Sequence, residues 1–195
     1  MKRKTALILI VFALLSGFGA AMGYSLMQKK RYQAIINQLQ QMNLQCIYQL
    51  HNYRPVTGLN DDGVKEEQFF IKIEQGLPLR IQVSLMATAL SKNCFSYLPI
   101  EVQGIQEYDQ KKVAVINLRE LEGFDAGKAW HGASWAQGYF QGSSGGAATT
   151  VILAESFLQR NNPMPWIDGV VFLYEEHPIR NFEHVASLER TIFRD

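Results

Sequence analysis

The longest feature in the hydrophobic pattern is an uncharged run from Thr5 to Met27, with Lys2, Arg3 and Lys4 before it and Lys29, Lys30 and Arg31 after it. Its 23 residues exceed the about 20 that a helix needs to cross a bilayer core. A cleaved signal peptide is the competing reading, because Gly19-Ala20-Ala21 supplies the small residues a peptidase prefers. The apolar region of a signal peptide is only about 7–15 residues long, so length favours an uncleaved anchor. Beyond the run, Tyr32, Ile35, Ile36, Leu39 and Met42 recur at helical spacing, while Gln33, Asn37, Gln38, Gln40 and Gln41 make the other face polar yet uncharged. This predicts a short juxtamembrane helix or stalk suited to self-association. Leu44, Cys46, Tyr48 and Leu50 alternate as in a strand, and 52–67, with Pro55, Gly58, Asn60 and Gly63, reads as loop.

Shorter periods follow. Phe69 to Ile73 is strand-like and Gly76 ends it. Leu79, Val83, Met86 and Leu90 mark one stripe of a helix that starts after Pro78. Two strands, 102–108 and 113–118, flank a turn at Asp109-Gln110-Lys111-Lys112. A glycine- and aromatic-rich connection covers 120–141. Ala147, Val151, Ala154 and Leu158 define a second helix, stopped by Asn161-Asn162-Pro163, and 167–174 is a further strand. Val185, Leu188, Ile192 and Phe193 predict a tail that packs back on the core. The order β-α-β-β-α-β implies an α+β fold, two helices on one face of a mixed β-sheet, preceded by a transmembrane helix. The expected organisation is an anchor or signal peptide over 1–31, a stalk and polar loop over 32–67, and an α+β domain over 68–195.

Charge changes the picture. The first 32 residues hold six of the 19 Lys and Arg and none of the acids, which leaves 13 basic against 18 acidic residues, a net −5, on the rest. A mildly acidic domain without a basic stripe argues against nucleic acid as a partner. With so few residues before the anchor, the domain is most simply placed outside the cytoplasm. There, Cys46 and Cys94 form one disulfide or are two small buried side chains; both readings stand.

Candidate chemistry centres on Gly142-Ser143-Ser144-Gly145-Gly146, which matches the G-x-S-x-G nucleophile elbow, with Asp168 and His177 or His184 downstream. That motif needs a buried strand before it, and 130–141 is too broken by glycine to supply one. Only 49 residues follow Gly146, too few to complete a hydrolase sheet. The simpler expectation is that Ser143 or Ser144 caps the second helix. A small serine hydrolase built on Ser144 is the alternative reading. His177 beside Glu175 and Glu176 lacks a second histidine at ligand spacing, and no phosphate loop is present, so neither metal nor cofactor is expected. Trp130, His131, Trp135, Tyr139 and Phe140 form the most suggestive binding set: aromatics spaced by glycines suit a surface that docks glycan or protein. The same residues would otherwise fold over the core.

From Leu77 onwards the chain resembles the GerMN domain of spore-germination GerM-like proteins. The resemblance is carried by LPLRIQVSLMATAL, GIQEYDQKKVAVINLRE, SGGAATTVILAESFLQRN and IDGVVFLYEEHPIR, together roughly 110 residues in the order of that domain type. The chain departs from the family pattern at Glu175-Glu176-His177, where a glycine is common, and it lacks the lipoprotein cysteine of many members. The resemblance implies a membrane-tethered extracytoplasmic domain linked to the cell envelope, in some members to sporulation, with no catalytic residues to carry over. The expected partner is an envelope protein, cell-wall glycan or a second copy of the chain.

Overall fold

The computed structural model describes residues 27, 29–40, 42, 52–74 and 76–194. Most of the Thr5–Met27 run, the expected strand over 44–50 and Cys46 lie outside the described residues. Among the described residues no helix is long and apolar enough to cross a membrane. The chain divides into two units, Met1–Cys46 and Ile47–Asp195. In the first, 29–40 is helical as its period predicts, and every described side chain is exposed.

The second unit is mixed α+β with two sheets. Strands β1 (Tyr53–Leu59) and β2 (Lys65–Lys72) form an antiparallel hairpin. Helix α1 (Leu79–Cys94) leads to strands β3 (Ile100–Tyr108) and β4 (Lys111–Leu118). A long connection and helix α2 (Ser143–Leu158) lead to β5 (Gly169–Tyr174), the two-residue β6 (His177–Pro178), a 3-10 segment (Glu183–Glu189) and β7 (Ile192–Phe193). The five-stranded sheet runs β3-β4-β5-β6, with β7 also on β5. Among the described residues only the β4–β5 pair is parallel, because α2 lies in the crossover between them.

Two expectations are corrected. Residues 52–67 are not loop: Tyr53–Leu59 is a strand, and a domain start at 68 would cut through β2. Pro55 and Gly58 read as breakers, yet a two-stranded sheet has an outer edge where a residue without an N–H does no harm. The Phe69–Ile73 strand therefore pairs with β1 and does not join the larger sheet, so one expected sheet becomes two. The hairpin is fixed to α2 instead: Thr57 N donates to Ser156 Oγ (3.1 Å), Gln159 Nε2 to Pro55 O (2.7 Å), and Lys65 pairs with Glu155 (2.7 Å).

Register places Ala114 beside Val170 and Ile116 beside Phe172 on one face of the sheet. These residues share one core with Val83, Met86 and Leu90 of α1 and with Leu153, Phe157 and Leu158 of α2. The α1 stripe is the one its sequence predicts. On α2 the buried arc is wider, and it reaches Gly146, Thr149 and Ser156 while Ala147 is exposed. The hairpin and the 3-10 segment press on α2 from sides that no single periodic stripe describes. A Cβ on Gly146 would lie 2.5 Å from His184 Cβ and 2.7 Å from His184 O, so only glycine allows that approach. The tail packs back as predicted, with Val185 and Leu188 fully buried.

Candidate functional site

The connection from β4 to α2 is built around one carboxylate. Glu120 stands two residues past the end of β4, and its Oε1 accepts from Ser134 Oγ (3.0 Å), Ala136 N (2.8 Å) and Tyr174 Oη (3.0 Å). Its Oε2 accepts from Trp135 N (3.1 Å). Trp135–Tyr139 is a single π-helical turn whose first N–H groups have no partner inside the turn, so an acidic side chain there satisfies donors and the local dipole together. Ser134 completes the cap by accepting from Gln137 N (3.0 Å). Tyr174 stands at the end of β5. Burial first, then the charges of Glu120 and Glu175, push its hydroxyl well above the ordinary tyrosine range.

This turn buries Trp135 and Phe140 completely. Trp135 Nε1 donates to Arg119 O (3.0 Å), and its ring lies 4.8 Å from Phe95 and 5.7 Å from Phe140. Phe140 continues to Phe182 at 4.9 Å. The expected binding set therefore divides. Trp135 and Phe140 belong to the core, because the rings of Phe95 and Phe182 lie against them and the polar atoms of Trp135 are satisfied by Glu120 and Arg119. Trp130 is half-buried, its Nε1 donating to Ala133 O (3.0 Å) and its ring edge-on to Phe124 at 5.6 Å. His131 is exposed, and Tyr139 is half-buried with its hydroxyl 2.9 Å from Ser96 Oγ.

Beside Tyr139 an open groove of about 600 Å³ runs between Ser96 at the exit of α1, Leu121 and Ser134 of the connection, and Gly138 and Gly145. Among the described residues a Cβ on Gly138 or on Gly145 would meet nothing within 4 Å, so neither glycine is required by packing there. Both interrupt helical turns, where glycine costs about 1 kcal/mol relative to alanine. A second cavity of about 400 Å³ shares Leu121 and is lined by Arg119, Glu122, Phe124, Tyr174 and Glu175. A third, about 380 Å³, lies under the hairpin and includes Cys94, whose thiol is pushed up to about 11 by burial.

The serines are placed differently from expectation. The cap position of α2 is Gly142, at φ +72°, and no side chain caps the helix; Ser143 and Ser144 are exposed in its first turn. The left-handed backbone that turns the chain into α2 selects glycine, which has no hydroxyl to offer. A π-turn and not a strand precedes Ser144, and among the described residues its hydroxyl has no histidine or carboxylate partner. His177 Nδ1 contacts Glu175 O (2.6 Å), and among the described residues no three His, Cys, Asp or Glu side chains converge on a point that could hold a metal. Sequence reasoning missed Glu120 and Tyr174, whose partners lie 14 to 54 residues away and leave no local signature, and Ser134, whose Ser-x-x-Gln spacing to Gln137 is a readable capping pattern.

Comparison of the chain with protein-family models, with curated proteins and with solved structures gives no match.

Proposed function

We propose that this chain is a membrane-anchored, extracytoplasmic envelope protein, GerMN-like in its domain, that works by binding and not by catalysis. The Thr5–Met27 run serves as the anchor, and the partner is an envelope component seated in the groove beside Tyr139. The observation that carries this reading is the pair of open glycines, 138 and 145, bordering the groove with no packing need for either. Without side chains there, a ligand reaches backbone N–H groups at the start of α2 and the aromatic edge of Tyr139 together. A net charge of −5 beyond residue 32 favours a neutral or weakly cationic partner, and cell-wall glycan fits that description. In a spore-forming organism the same role would fall in sporulation or germination.

Co-sedimentation of the detergent-solubilised full chain with purified cell-wall sacculi tests this. The expected result is that the chain pellets with sacculi and that Gly145→Leu abolishes pelleting without lowering the melting temperature. Pelleting unaffected by Gly145→Leu would remove the groove from the proposal. A fluorophosphonate probe is added in parallel, and labelling that disappears in Ser144→Ala would replace binding by hydrolysis.

A further inference from the structure

The helical residues 29–40 and 42 carry an apolar seam that faces solvent. Tyr32, Ile35, Ile36, Leu39 and Met42 are between 47% and 65% exposed, a level that isolated surface residues reach but a whole helical face rarely does. Their spacing is that of a two-stranded seam: Tyr32 and Leu39 occupy one core position of a seven-residue repeat, Ile35 and Met42 the other, and Ile36 flanks it. We infer that this seam is covered by the same seam of a second copy of the chain, giving a parallel two-stranded stalk.

Three features select a second copy. From Tyr32 to Met42 no residue is charged, so two identical helices side by side place no like charges together. A heterologous partner is ordinarily chosen by charges at the flanks of such a seam, and this helix offers none beyond Lys29, Lys30 and Arg31 at its start. The uncharged run ends at Met27, within about two helical turns of Tyr32. Resting on the proposed anchor, this proximity has two consequences. Both copies leave the membrane in the same direction, which makes the pair parallel. Confinement to one membrane also raises the effective concentration enough to compensate for a seam of only two repeats.

Cysteine cross-linking in native membranes tests the pairing with the full chain. In a Cys46→Ser, Cys94→Ala background, Ile35→Cys or Leu39→Cys places a thiol on the seam, whereas Gln33→Cys or Gln40→Cys places it outside. Copper phenanthroline should produce dimers at least about tenfold faster from the seam positions, since only these face one another across the pair. Equal rates at all four positions, or no dimer at the seam, would overturn the inference. So would cross-linking of the seam positions to a different protein. An amine-reactive cross-linker applied to the same membranes, acting through Lys29 and Lys30, provides a readout free of engineered thiols: a dimer is expected from the chain with its native cysteines and a monomer from Leu39→Asp, which places two like charges on the seam, and no dimer from the parent chain would count against the stalk. Alkaline extraction of the same membranes reports anchoring separately. A chain that is extracted yet cross-links on the seam keeps the stalk and loses the anchor.

Discussion

Gly146 and Gly145 are neighbours in one helical turn and meet opposite surroundings. The Cβ of an alanine at Gly146 would press on the backbone of His184, which cannot swing aside as a side-chain end would. Gly146→Ala should destabilise the domain by about 1–3 kcal/mol, as overpacking of a close contact does. Gly145→Ala should stabilise it by up to about 1 kcal/mol, because the new methyl meets open space and helix propensity improves. Urea unfolding of both variants decides this, and equal shifts would contradict the contact with His184. Tyr174 brings a pH dependence. Its neutral hydroxyl donates to Glu120, and its folded pKa is raised, so the unfolded chain releases that proton first as pH rises. Stability is therefore fully present below the ordinary tyrosine pKa of about 10 and is lost progressively above it. Denaturation midpoints between pH 8 and 11 should fall more steeply for the native chain than for Tyr174→Phe, and parallel curves would mean that Tyr174 does not report folding.

At the scale of elements, the connection between β4 and α2 is a tertiary construction. Its π-turn is capped by Glu120 from 15 or 16 residues away, and its tryptophan fills the space between α1 and the tail. Trp135→Ala should cost about 3–5 kcal/mol, the usual range for emptying a buried aromatic site. Trp130→Ala, at a half-buried position, should cost about 1–2 kcal/mol. Thermal melts of the two single variants separate them, and a stable Trp135→Ala protein would show that the turn does not hold the core. The expectation that the whole aromatic set forms a docking surface fails here for a physical reason. Glycine spacing in sequence describes flexibility of the backbone, while burial is set by what lies opposite, and Phe95, Phe140 and Phe182 lie opposite.

At the scale of the whole molecule, the length of the Thr5–Met27 run predicts anchoring. The full chain should pellet with membranes and resist alkaline extraction, and intact mass should retain residues 1–27. A mature N-terminus near Met22 would make the run a signal peptide. The helix over 29–40, the α1 stripe, the hairpin at 102–118 and the return of the tail were legible in the sequence, because each is a local period bounded by a turn residue or a burial pattern that one helix or strand completes by itself. Pairing was not. Residues 53–59 look like loop, with Pro55 and Gly58, and become a strand only because β2 supplies hydrogen bonds on one side and α2 on another. The site followed the same division. The presence of α2 was readable, but its buried arc, its capping residue, the Glu120 network and the open groove each depend on residues that meet only after the chain has folded. Local propensity determines where a helix or a hairpin starts; which polar atom satisfies which donor, and which aromatic ring is sealed from water, is decided by long-range packing that no short window of sequence contains.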